Sequence, residues 1–502
     1  MDRVALLFVL LLLLQGSLTI ASPDYGLPNS VFGTAEVLSS VSIASTYVNT
    51  LAGSNLVAAT ISQTAYGLPE IVRIVKETGT TVSQDGTAIA NALSTLAQSS
   101  SADPTALFDA ALTSIQDAVG RIANLLPTTS ASLTALIGSN VPDRLTDSFG
   151  RIDTALKTLQ VEIGTLKSAI LAAVAEAGSP TSISTAILTK HITAKKVYSV
   201  IRTVRSLRAF LPVLRYTLNT AIEDVVEADN YLNAYTSTVA ALDAMVALVV
   251  QSLQAAEQGF YATLKSGIEA LASSYADAKE LIQLLGISED PVLGPEITNM
   301  LAKFSTTLAD PERDVLAVAS QLQNYLNAIK SMVSISDPQV VSIADSKLIE
   351  ALIQTLIYGG PYARYCFNKY KALVSYVIRY LLDESIVCVE REIPRLAALA
   401  TTVQTVLDVS AFDFEDIYDW LTVCNELQLA ECVARIAQSQ TPLGDYFADK
   451  YDLLFDLTTT EVNASKQRTK ICIELSRRSI ADGFIAELQD NIKQCAVKGP
   501  NP

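Results

Sequence analysis

The chain has 502 residues, with 52 Asp and Glu against 36 Lys and Arg, a formal net charge of −16 and a single histidine. That balance repels phosphate backbones and argues against a nucleic-acid binder. One histidine leaves no material for multi-histidine zinc sites, Ser-His-Asp or Cys-His pairs, or an HExxH helix. Half of the residues are hydrophobic but only 7% are aromatic and 21 are Gly, a mix that favours helix over sheet.

The first element is an apolar run from Val4 to Leu14 followed by the small and polar stretch QGSLTIAS. Eleven apolar residues are too few to cross a bilayer of about 30 Å, whereas they suit the core of a secretory signal. We expect a signal peptide over 1–21, a mature chain from about Ser22, and a secreted, extracellular protein. Later segments offer no uninterrupted apolar run of membrane-spanning length: Asp243 breaks the best of them, and the C-terminal VKGPNP lacks an anchor's hydrophobic tail.

Helix starts are announced by a capping residue before proline at Asp103-Pro104, Ser179-Pro180, Asp310-Pro311, Asp337-Pro338 and Thr441-Pro442. The cap oxygen accepts an orphan backbone N–H, and proline at the first helical position forfeits no hydrogen bond. Phe149, Ile152, Leu156, Leu159, Ile163, Leu166, Ile170 and Ala173 then alternate steps of three and four, the pattern of a coiled-coil seam. A second seam runs from Leu232 to Leu285 and contains two successive steps of four around Leu264, a stutter that unwinds a supercoil locally. Gly and Pro clusters at 288–296 and 358–362 read as boundaries. The expected segments are 22–178, 179–290, 291–358 and 359–502.

The stretch KHITAKKVYSVIRTVRSLRAFLPVLRY opposes the rest of the chain in sign. No acidic residue stands between Glu176 and Glu223, while seven Lys or Arg do. Val197, Val200, Ile201, Val204, Leu207 and Leu211 form one stripe of a helix, with Lys195, Arg202, Arg205 and Tyr198 on another side. Lys190, Lys195, Lys196, Arg202, Arg205 and Arg208 are therefore the candidate anion-binding residues. We expect this face to pair with acidic helices of the same chain or of a second copy. The competing expectation is an external anion, either a membrane surface or a sulfated or sialylated glycan. His191, beside Lys190 and near Lys195 and Lys196, is expected to be a solvated surface residue.

Catalytic motifs are missing: there is no GxGxxG and no GxxxxGK[ST]. Asp413, Glu415, Asp416 and Asp419 lack the glycine and spacing of a calcium loop and read as first-turn helix acids. Neither cofactor nor enzymatic activity is expected.

All six cysteines, Cys366, Cys388, Cys424, Cys432, Cys472 and Cys495, lie in the last 137 residues, which predicts three disulfides. Residues 366–388 read as one helix, so Cys366 and Cys388 would stand about 33 Å apart, beyond a disulfide's reach of about 7 Å. The same reasoning separates Cys472 from Cys495 and, on a continuous helix through DWLTVCNELQLAECVARIA, Cys424 from Cys432. Excluding these three pairs leaves eight of fifteen pairings. Asn463 opens the N-glycosylation sequon NAS.

The run of Cys366 with Tyr370, Cys388, the close pair Cys424 and Cys432, NAS, and a final Cys472 and Cys495 resembles the cysteine pattern of the TsetseEP domain over roughly 360–497, with fewer middle cysteines than many members. The resemblance implies a secreted insect protein, some relatives of which come from the gut, and supplies no catalytic residue. The fold expected is an all-α, elongated helical bundle with coiled-coil-like long helices and a disulfide-braced C-terminal domain. The function expected is that of a non-catalytic binding or structural protein for an unidentified protein or glycan partner, with self-association through the seams as a further expectation. The alternative is an extracellular carrier of a lipid or other apolar ligand.

Overall fold

The computed structural model describes residues 24–52, 59–99, 103–333, 342–428 and 430–500. The signal-like segment 1–21 and the Asp337-Pro338 pair lie outside the described residues. Among the described residues there is no strand, only an isolated bridge between Asp24 and Leu27. The protein is all-α.

The helices are α1 (Thr34–Leu51), α2 (Leu68–Gln98), α3 (Pro104–Ile137), α4 (Asn140–Ala177), α5 (Thr185–His191) and α6 (Ala194–Gln283). There follow α7 (Leu293–Thr307), α8 (Pro311–Val333), α9 (Lys347–Ile357), α10 (Ala363–Glu390), α11 (Ile393–Leu427), α12 (Ala430–Arg478), a π-helical turn over Ser479–Ile485, and α13 (Ala486–Lys498). Two capped prolines open helices as expected. Asp103 accepts from the Ala106 N–H at 3.1 Å and Asp310 from the Arg313 N–H at 3.1 Å. Ser179-Pro180 opens only a short 3-10 turn, with Ser179 Oγ accepting from the Thr181 N–H at 3.3 Å. Thr441-Pro442 opens nothing: Pro442 lies inside α12. Proline in a helix interior forfeits one backbone hydrogen bond, and α12 runs on through Pro442 all the same.

The chain forms two compact units. The first comprises 1–234, 347–371 and 489–502, and the second 235–346 and 372–488.

In the first unit α2 packs between α1 and α3, and α3 folds back along α4 through the two-residue connection Gly138-Ser139. Every residue of the α4 seam from Phe149 to Ala173 is buried. Truncating one such leucine to alanine costs about 3–5 kcal/mol, transfer and cavity terms together. By length and composition alone, α4 and α6 each hold a window apolar enough to cross a bilayer. In α4 the seam residues of that helix face the unit's core.

The second unit is centred on an aromatic cluster. Tyr275, Phe304, Phe414 and Phe447, from α6, α7, α11 and α12, stand with ring centroids 5.0–6.0 Å apart. The Tyr275 hydroxyl donates to the Leu301 carbonyl at 2.6 Å, so its one polar atom is satisfied in the core.

Three disulfides brace the C-terminal region. Cys366 pairs with Cys495 in the first unit and Cys388 with Cys472 in the second, at Cα separations of 5.9 and 5.8 Å. As expected, the two cysteines of α10 bond to other helices. The third bond joins Cys424 to Cys432, with Cα atoms 5.8 Å apart, and this overturns the expectation that they could not meet. No continuous helix links them: α11 ends at Leu427, Gln428 takes a left-handed conformation with φ of 50°, and α12 begins at Ala430. The pairing is therefore one of those that the continuous helix had excluded.

Candidate binding surface on a basic helix

The N-terminal part of α6 is amphipathic in the way its sequence dictates. Val197, Val200, Ile201, Val204, Leu207 and Leu211 are all buried. The opposite side exposes Lys195, Tyr198, Arg202, Arg205, Val213 and Tyr216, with Tyr198 at 49% and Tyr216 at 67% exposure. Phe32, 66% exposed, stands edge-on to Tyr198 with centroids 6.1 Å apart. Gly33 makes that placement possible. It caps α1 with φ of +90°, and a Cβ there would lie 2.9 Å from Val197 Cγ1 on α6.

The candidate cations divide into two groups. Lys190 donates to Glu176 at 2.7 Å, and His191 Nε2 lies 2.5 Å from the same carboxylate. The hydrogen bond from Lys190, then that from His191, holds Glu176 below the usual carboxylate range. His191 is thus an anchored, partly covered residue instead of a freely solvated one. Lys196 Nζ donates to the His191 carbonyl at 2.8 Å, tying the start of α6 to the end of α5.

Lys195, Arg202, Arg205 and Arg208 make no ion pair among the described residues. The expected internal pairing of this face does not form. Two acids on α4 are matched within their own helix, Asp147 to Arg151 at 3.1 Å and Asp153 to Lys157 at 2.7 Å, both at i,i+4 spacing. Beside Arg202 runs an open groove of about 550 Å³ that includes Asp147, Arg151, Thr158, Ser206 and Phe210. Arg202 is the cation in that groove without a carboxylate.

Other candidates are structural. An apolar cavity of about 70 Å³ in the first unit is lined by Val41, Val48, Ile89, Leu93, Leu156 and Leu207 among others. Pockets for small molecules measure about 300–1,000 Å³. Asp413, Glu415, Asp416 and Asp419 lie beyond the middle of α11, not in a first turn, and Asp413 pairs with Lys450 at 2.6 Å. No group of acids, histidine and cysteines among the described residues is arranged to hold a metal.

Glu392, 2% exposed, precedes α11 and accepts from Ser465 Oγ at 2.7 Å and from Arg468 at 2.9 Å, with Arg395 as a third partner. Burial pushes its carboxyl up, but hydrogen bonds from Arg468 and Ser465 and the two guanidinium charges outweigh burial and hold it below the ordinary range. Asn463 is exposed on α12, while its sequon partner Ser465 is buried in this network.

Sequence reasoning found the arginines but missed Phe32, Val213 and Tyr216 as members of the same surface. The steps of three and four from Tyr198 through Arg202, Arg205, Ala209 and Val213 to Tyr216 carry a signal for the α6 members. Nothing local could place Phe32, which arrives through the turn at Gly33. No known protein family, curated protein or solved structure matches the chain.

Proposed function

We propose that this is a secreted, non-catalytic binding or structural protein of the extracellular space, whose working surface is the basic aromatic face of α6. One observation carries the reading: Arg202 and Arg205 are exposed without carboxylate partners, between the exposed rings of Tyr198 and Tyr216. Unpaired guanidinium groups and aromatic rings on one helical face recognise anionic partners by charge and by stacking. Three disulfides are compatible with an oxidising compartment. The cysteine-pattern resemblance to TsetseEP domains supports an insect extracellular setting. A cavity of about 70 Å³ gives the carrier reading little room.

Adsorption to heparin and to phosphatidylserine vesicles tests the reading. Replacing Arg202 and Arg205 with Gln should weaken adsorption and leave the melting temperature nearly unchanged, since neither side chain has a partner to lose. Adsorption equal to that of the unaltered protein would remove this face from the function. Organic extraction that yields a stoichiometric lipid would favour the carrier instead.

A further inference from the structure

A second surface, in the second unit, mirrors the first with its charge reversed. On α11, Asp416, Asp419, Trp420, Val423, Glu426 and Leu427 are all exposed and fall at helical steps along one side. Trp420 is the only tryptophan of the chain and is 57% exposed. The end of α6 lies beside the last turn of α11, because the Ile287 N–H donates to Asn425 Oδ1 at 2.9 Å. That end adds Leu284, 77% exposed, and the turn after it adds exposed Glu289 and Val292. Segments 276–296 and 413–431 together hold eleven acidic residues against one base, Lys279. Asp416, Asp419, Glu426 and Glu289 make no ion pair among the described residues.

We infer that the anionic partner of the α6 face is this acidic apolar surface on a second copy of the chain. The inference rests on the reading of the α6 face as a binding surface and names its occupant. Charge complementarity carries it: the one purely basic window of the chain exposes Tyr, Val and Arg beside the exposed Phe32, and the acidic surface exposes Trp, Leu, Val, Asp and Glu. Arginine, tyrosine and tryptophan are the residues that dominate protein interfaces, where aromatic anchors are desolvated and charges fix the register. Because the two surfaces differ, the contact is heterologous. Each copy keeps one surface free, so assembly proceeds to a ring or an open chain.

Sedimentation velocity on the full chain tests this. The unaltered protein should grow with concentration at about 0.1 M salt and dissociate near 1 M, where the screening length falls from about 10 Å to about 3 Å. Arg202→Glu with Arg205→Glu, and separately Asp416→Lys with Glu426→Lys, should each weaken association on the order of tenfold or more. Mixing the two variants should restore a complex, because the intact basic face of one meets the intact acidic surface of the other. Gln in place of Glu or Lys at the same positions gives milder variants should a reversal disturb folding.

A concentration-independent monomer, association unaffected by either pair, or failure of the mixture to associate would overturn the inference. Heparin and vesicle adsorption separates its failure from that of the underlying reading. Adsorption that needs Arg202 and Arg205 in a protein that stays monomeric removes only the second copy. Loss of both removes the α6 face altogether.

Discussion

Arg364 Nε lies 2.6 Å from a carboxylate oxygen of Asp224, a residue only 3% exposed. The other arm of the guanidinium reaches Glu223 at 2.8 Å. Burial raises the Asp224 carboxyl to about 6, against the opposing pull of Arg364. An aspartate raised above its unfolded value near 3.8 adds stability that is complete below that value and lost as pH rises through about 6. Relative to Asp224→Asn, the unaltered protein should therefore melt progressively higher between pH 7 and pH 5. The difference is on the order of 1 kcal/mol between pH 7 and pH 5 and approaches about 3 kcal/mol only below the unfolded value. Thermal unfolding of both proteins across that range checks the sign. Relative destabilisation on acidification would show the carboxylate to be stabilised by Arg364 more than it is penalised by burial.

Glu392 should behave in the opposite sense. Its carboxyl is held below its ordinary value by Arg468, Ser465 and Arg395 against burial. Its contribution is present above the unfolded value and disappears as pH falls through the lower folded one. Ser465→Ala removes one hydrogen bond to the buried charge and should destabilise by about 2 kcal/mol at neutral pH. The loss should shrink in strongly acidic buffer, where the carboxylate is protonated.

The three disulfides differ in what they restrain. Cys366–Cys495 closes 129 residues, Cys388–Cys472 closes 84, and Cys424–Cys432 closes 8. Chain-entropy reasoning assigns about 5 kcal/mol to each long loop and about 2.5 kcal/mol to the short one. Paired Cys→Ser replacements followed by denaturant unfolding should show that order. Non-reducing peptide mapping should find Cys424 and Cys432 bonded to each other.

Two glycines should respond oppositely to alanine. At Gly86 on α2, a Cβ would lie 2.7 Å from both Cγ atoms of Val48 on α1, and a β-branched side chain has little freedom to withdraw. Gly86→Ala should lower stability by about 1–3 kcal/mol through overpacking. At Gly164 on α4 nothing lies within 4 Å, so Gly164→Ala should raise stability by about 0.5–1 kcal/mol through helix propensity. A melting temperature raised by Gly86→Ala would contradict the packing at Gly86, and one lowered by Gly164→Ala would contradict the open space at Gly164.

Much of the fold could be read in advance because it is written in local periodicity. The seam from Phe149 to Ala173 and the buried stripe from Val197 to Leu211 follow from the spacing of apolar side chains, and Asp103 and Asp310 from capping chemistry. What escaped reading depends on tertiary context. Gln428 adopts a left-handed turn without glycine, so the reversal that unites Cys424 with Cys432 left no mark in composition. Pro442 looked like a helix start and lies within one. The six candidate cations were legible as a group. Which of them pair was not, because pairing depends on which carboxylates the fold brings near: Glu176 of α4 meets Lys190, while Asp147 and Asp153 are matched within α4.

The bond from Cys366 to Cys495 has a consequence for the order of events during synthesis. The first unit begins at the N-terminus but includes 347–371 and 489–502, and the second unit is made from the two stretches between them. Domains of most chains fold one after another as they leave the ribosome. Here the unit begun first must wait for the final residues, and Cys366 can find its native partner only after the second unit's last residue has been made. Until then its thiol is open to capture by Cys388 and Cys424, which follow it off the ribosome before Cys495. Correct maturation therefore depends on a late rearrangement or a held thiol, and truncation at the extreme C-terminus should damage the half of the protein that was translated earliest.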